Sequence, residues 1–187
     1  MIKTILQNKL LTFVFVVVVY LLVHFTNNYL TEFLHLIPGA HLVHIPSGFK
    51  LLFVLIAGWI GALGVGFAAL FASLLYSFPD QYLLSLELAI VNGVAPLIAR
   101  IFIVHNYAMH ENLVGITSRQ LLVLGLVFAL LNSGLNQVVF FWNGVNPNIL
   151  DGILVMFIGD ITGAYIVFLI LKFISMKFVK FDESETG

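Results

Sequence analysis

Residues 48–78 read GFKLLFVLIAGWIGALGVGFAALFASLLYSF, 31 residues with a single charge, Lys50. As one helix this run would be about 46 Å long, against a bilayer hydrocarbon core of about 30 Å. Tilt alone does not absorb so large an excess. Gly58, Gly61, Gly64 and Gly66 cluster in its middle and beyond, where the backbone is free to turn. The run is therefore expected to hold two membrane spans, a short one at 48–59 and another at 60–77. The turn Ser77-Phe78-Pro79-Asp80-Gln81 closes it.

Working outward, four more apolar runs have helical length, at 9–29, 82–104, 119–142 and 149–174. The first is rich in valine between Phe13 and Val19, which would favour a strand in water. In lipid each segment must satisfy its own backbone hydrogen bonds, so a helix is expected. No small-x-small cleavage site follows Val23, so this run reads as a retained span rather than a signal peptide. Residues 30–47 are too polar and too rich in proline to span, and read as an interfacial or re-entrant loop. The expectation is a single all-α domain over residues 1–187, a polytopic bundle of about six transmembrane helices.

Composition agrees. Of 187 residues, 61% are hydrophobic and 9% charged, and the mean hydropathy is +1.09. A soluble domain carries about 25% charged residues, so this chain lacks the polar side chains to cover an aqueous surface. The net charge is −1 and the basic residues form no patch, which gives no footing for nucleic acid. There is no cysteine, so thiolate metal sites and thiol nucleophiles are excluded. With six spans, Lys3, Lys9, Arg100, Arg119, Lys172, Lys177 and Lys180 fall on one side and Lys50 alone on the other. That asymmetry places both termini in the cytoplasm.

Ionisable side chains inside a bilayer are costly and usually have a partner or a task. Asp160 stands out, in Phe157-Ile158-Gly159-Asp160-Ile161-Thr162-Gly163. It would bind a cation, a proton or a ligand amine, or else pair with a buried base and fix helix packing. Asn132 and Asn136 are one turn apart on one helical face, with Ser133 and Gln137 beside them. Such a stripe is either interhelical glue or the lining of a polar cavity. With Asn92 and Asp160 it would converge on one interior site, the place for a small-molecule ligand. Glu87, in the outer part of its span, is a further candidate, although it is shallow enough to snorkel. Arg100 and Lys50 read as interfacial anchors. His35, His41 and His44, with Glu32 nearby, form a loop cluster that would hold zinc or copper or sense pH, but their spacing matches no strict metal signature. No His-Glu-x-x-His, Walker loop or Gly-x-Ser-x-Gly elbow is present. Neither catalysis nor a cofactor is expected.

Pro46-Ser47-Gly48, Gly58-Trp59, a Gly/Ala-rich span, Asn92 and Gly159-Asp160-x-x-Gly163 follow one another in this order. The pattern, over residues 45–173, resembles the first type of membrane-associated sensor domain of bacterial histidine kinases and diguanylate cyclases. The resemblance implies a multi-pass, non-enzymatic sensory or partner-docking module in the cell inner membrane. Family members carry more spans and a cytoplasmic signalling domain after them. This chain stops soon after its last span, so the expectation is action through a separate membrane-protein partner or a homo-oligomer. The size and helix count also look like the substrate-binding subunit of energy-coupling-factor vitamin transporters. Ala68, Ala69, Ala72 and Ser73 would then form the small-residue docking face. A third reading is an accessory subunit without any ligand.

Overall fold

The computed structural model describes the backbone of residues 8–31, 35–37, 40–107 and 116–185, and their side chains except those of 35–41 and 174–185. The described chain is helical apart from one small hairpin. Helix α1 is Lys9–Thr31, α2 is Ile45–Ala72 with a π-helical extension Ser73–Ser77, and α3 is Tyr82–Asn106. Helix α4 is Ser118–Trp142 and α5 is Ile149–Glu185. Strands β1 (His35–Ile37) and β2 (Ala40–His41) pair antiparallel between α1 and α2, with His35 opposite His41. Thus α1 extends to Thr31, two residues into the stretch expected as loop.

Among the described residues, five helices are long and apolar enough to cross a membrane: Lys9–Thr31, Ile45–Ser77, Tyr82–Asn106, Ser118–Trp142 and Ile149–Phe173. Their outward faces are apolar, with Leu10, Val14, Val18 and Leu22 of α1 and Leu150, Leu154 and Ile158 of α5 all exposed. A water-soluble bundle would place polar residues on such faces. The arrangement fits a membrane helical bundle.

Helix α2 is not straight. Gly58 has φ +57° and ψ −129°, a conformation essentially closed to residues with a Cβ. A Cβ on Gly61 would run into the carbonyl of Phe53. Residues eight apart in a continuous helix are separated by about 12 Å along the axis, so the chain doubles back at Gly58. Its two arms then pack on each other and on α1. Phe53 from the first arm and Val65 and Ala68 from the second share one buried cluster with Val16 and Tyr20. Each arm also meets α3. Gly66 and Gly93 face each other, so that a Cβ on Gly93 would lie 2.7 Å from the carbonyl of Ala62. On the other side, Leu51, Leu55, Ala99, Ile103, Leu124 and Phe128 form a second core across α2, α3 and α4. Helices α2 to α5 close into a ring, α2 contacting both α3 and α5, while α1 packs chiefly on α2.

Local chemistry sets several helix ends. Thr117 caps α4 reciprocally with Gln120: its hydroxyl accepts from the Gln120 amide, and its own amide donates to Gln120 Oε1 at 2.8 Å. Pro96 lies inside α3. It has no N–H, so the carbonyl of Asn92 one turn earlier is left without its helical donor.

Candidate functional site

The first turn of α2 starts on α5. The His44 amide donates to the Gly159 carbonyl at 3.2 Å, and the Thr162 hydroxyl donates to the Leu42 carbonyl at 2.9 Å. The His44 carbonyl sits against Gly163, where a Cβ would collide with it. Gly48 is equally tight: a Cβ there would lie 2.5 Å from the Gly163 carbonyl. The glycines on both sides of Asp160 thus admit a backbone rather than a side chain. Across this contact Pro46-Ser47-Gly48 meets Gly159-Asp160-Ile161-Thr162-Gly163.

Asp160 is completely buried at the contact. Its Oδ1 accepts from the Ser47 hydroxyl, and His44 Nδ1 is 3.4 Å from the same oxygen. Its Oδ2 accepts from Asn132 Nδ2 at 2.7 Å. Asn132 is held in turn by Asn136, whose Nδ2 donates to the Asn132 carbonyl at 2.7 Å. One turn beyond Ser47, Lys50 is only 2% exposed. Its ammonium donates to Asn92 Oδ1 and lies within range of the Asp160 charge. Asn92 Nδ2 donates to the Leu88 carbonyl at 2.7 Å. One hydrogen-bond network therefore joins α2, α4 and α5 around a buried anion, and a second joins α2 to α3 through a buried cation.

Helix α1 completes the wall. Tyr20 is buried and stacks on His24 at 6.0 Å between ring centroids, and His24 meets the His44 ring edge-on at 6.4 Å. Asn27 Oδ1 accepts from the Ile45 amide at 3.0 Å and so caps the start of α2 from a neighbouring helix. Burial pushes the His44 imidazole below the ordinary histidine range; its hydrogen bond to Asp160 opposes this, and the charge of Lys50 reinforces it.

Serine, histidine and aspartate come together here, but not in the order of a hydrolase. In a catalytic triad the two imidazole nitrogens face the hydroxyl and the carboxylate separately. Here His44 Nδ1 faces both Ser47 Oγ, at 2.8 Å, and Asp160, while Ser47 hydrogen-bonds directly to the carboxylate. The geometry holds a charge in place.

Asp160, Asn132 and Asn136 share one network, whereas Asn92 holds Lys50 instead. Glu87 joins neither. It lies on α3 nearer the other end of the helix pair and accepts from Asn143 Nδ2 at 2.7 Å. Lys50 was expected as an interfacial anchor and is instead internal, because the doubled-back α2 turns the start of its first arm toward α3. His44 joins the site as a partner of Asp160. The side chains of His35 and His41, and all of Glu32, lie outside the described residues. Among the described residues no group of three or more His, Cys, Asp or Glu converges as metal ligands. In the sequence Ser47 stands out only as part of Pro46-Ser47-Gly48, without a role of its own, and Tyr20 not at all. The available signal for Ser47 was its spacing of three from Lys50, which puts both on one helical face.

No protein-family model, no curated protein and no solved structure matches this chain.

Proposed function

We propose that this chain is a non-enzymatic membrane module, sensory or partner-docking, in which the Asp160 network latches the start of α2 onto α4 and α5. The observation that carries the reading is the buried carboxylate shared by Ser47 and His44 on one side and Asn132 on the other. Buried charges at helix contacts are expensive, and breaking one leaves its partner uncompensated. A latch of this kind has a closed arrangement and a costly open one, as a two-state element needs. The loop before α2 reaches it directly through Leu42 and His44, so a ligand or partner at that loop would bias the latch. Pro46-Ser47-Gly48 and Gly159-Asp160-x-x-Gly163, two of the stretches on which the resemblance to the membrane-associated sensor domains rests, lie against each other.

In this reading the protein is a multi-pass component of the cell inner membrane with six membrane segments, α2 supplying two. Its first arm, about 20 Å long, is shorter than a full span. Lys9 lies 5.8 Å from the Trp59 ring, and Arg100 approaches Gly58. The tip of α2 therefore shares one end of the bundle with two basic residues. Taking that end as cytoplasmic puts both termini there.

The transporter-subunit alternative finds less support. Ala68, Ala69, Ala72 and Ser73 are all buried within this chain, so that face is occupied by the protein's own helices. Native purification from membranes, followed by identification of what co-purifies, tests the proposal. One specific membrane-protein partner is expected, with Asp160→Asn reducing its recovery while the variant stays monodisperse. A retained vitamin-sized molecule in place of a partner would favour the transporter reading. Unchanged partner recovery in the Asp160→Asn variant would remove the latch from the mechanism.

A further inference from the structure

Away from the Asp160 network, the outer surface between α3 and α4 carries a groove of about 270 Å³ lined by Glu87, Ile90, Val91, Val138, Val139 and Trp142. For scale, a dry cavity of about 150 Å³ accommodates benzene. Ile90, Val138 and Trp142 are 57%, 51% and 84% exposed, so the groove opens sideways, toward whatever surrounds the helices. Its polar end is a carboxylate. Asn143 Nδ2 holds Glu87 Oε2 at 2.7 Å and also donates to the Val139 carbonyl at 3.0 Å. The hydrogens of that amide are thus both used, and the other oxygen of Glu87 has no partner among the described residues. No lysine, arginine or histidine among the described residues pairs with Glu87.

Depth fixes the chemistry. Glu87 is five residues into α3, about 8 Å along the axis, and Trp142 is the last residue of α4. The groove therefore spans the boundary where acyl chains meet headgroups, the level at which tryptophan collects. An anionic, acceptor-only group at that depth calls for a cation with N–H donors, and the exposed indole that lines the same groove is the kind of aromatic group to which such a cation is attracted. Below, the aliphatic side chains call for hydrocarbon.

We propose that this groove is a binding site for a phospholipid with a primary-amine headgroup. The ammonium sits on Glu87 beside Trp142, and one acyl chain lies along Ile90, Val91 and Val138. A choline headgroup has the same charge but no N–H to donate, so the site discriminates between the two.

The test uses the full chain, delipidated in detergent and mixed with equimolar phosphatidylethanolamine and phosphatidylcholine of identical acyl chains. Native mass spectrometry counts the lipid retained. Preference for the ethanolamine lipid by roughly two- to fivefold is expected, the range set by one exposed charge-assisted contact. It should decline stepwise through the mono- and dimethylated headgroups, a series that needs no variant. Glu87→Gln keeps the shape and the Asn143 hydrogen bond, and is expected to abolish the preference. Val138→Trp fills the groove and is expected to lower retention of both lipids. Equal retention of the two lipids by the wild-type chain would overturn the proposal, as would a preference that survives Glu87→Gln. A dimer mass that Val138→Trp removes would assign the groove to a second copy of the chain and overturn it too.

Discussion

The carbonyl of His44 occupies the space that a Cβ on Gly163 would need. This single contact sets the depth at which the start of α2 rests on α5. It brings Ser47 within hydrogen-bonding reach of Asp160, and its consequences can be measured at both ends.

Gly163→Ala should lift the His44 segment off α5. Over-packing a tight contact costs about 1–3 kcal/mol, so a lower melting temperature in detergent is expected. Gly125, two turns into α4, has nothing within 4 Å of its Cβ position. Gly125→Ala should be neutral or stabilising, because alanine is the better helix former by up to about 1 kcal/mol. Equal effects of the two substitutions would contradict the contact.

Asp160 and Lys50 should behave as a coupled pair. Asp160→Asn removes a carboxylate that Ser47, His44 and Asn132 contact directly and whose charge acts on the buried Lys50 ammonium through space, so it should destabilise the fold. Lys50→Met should likewise destabilise. The double variant should be less damaged than the sum, by about 0.5–3 kcal/mol for coupled residues. Strict additivity in thermal-unfolding measurements would show that the two charges do not act on each other.

Gly58→Ala places a Cβ at φ +57°, ψ −129°. Strained backbone of this kind costs about 1–3 kcal/mol. Lower thermal stability and weakened packing between the arms of α2 are expected, the latter read as reduced cross-linking of cysteines introduced at Phe53 and Val65, which share one cluster across the two arms. Undiminished cross-linking would mean that the bend does not depend on glycine.

The His44 imidazole is held below the ordinary histidine range by burial, against the pull of Asp160. The fold therefore resists a proton that the unfolded chain accepts. Above about pH 6.5, the ordinary histidine value, both states are neutral at this residue and its contribution is complete. On acidification the unfolded state binds more protons, so stability falls. His44→Asn, which keeps a polar atom at the Nδ1 position, should flatten the acid side of the stability profile relative to wild type. Superimposable profiles would exclude His44 as a source of the slope.

Membrane topology can be read without background because the chain has no cysteine. With six segments, Gln81→Cys and Asn148→Cys should react with an impermeant maleimide from outside intact cells. Ser118→Cys should react only after permeabilisation. Labelling of all three from the same side would require a different path through the membrane.

Much of the fold was legible because hydropathy is a local property. Each span needs about 20 apolar residues regardless of its neighbours, so the runs at 82–104 and 119–142 nearly coincide with α3 and α4. A bend near Gly58 followed from arithmetic, since 31 apolar residues exceed one crossing. Asp160 was conspicuous for the same reason: a charge among apolar residues stands out in one dimension. The tertiary structure alone decided the partners. Helix rotation and the close approaches at Gly48 and Gly163 determine which side chains meet, and these put Ser47, His44 and Asn132 on Asp160. The same geometry carried Lys50 inward to Asn92 and left Glu87 apart, facing a groove. Sequence spacing places residues on a helix face, but which face another helix meets depends on packing across the whole bundle.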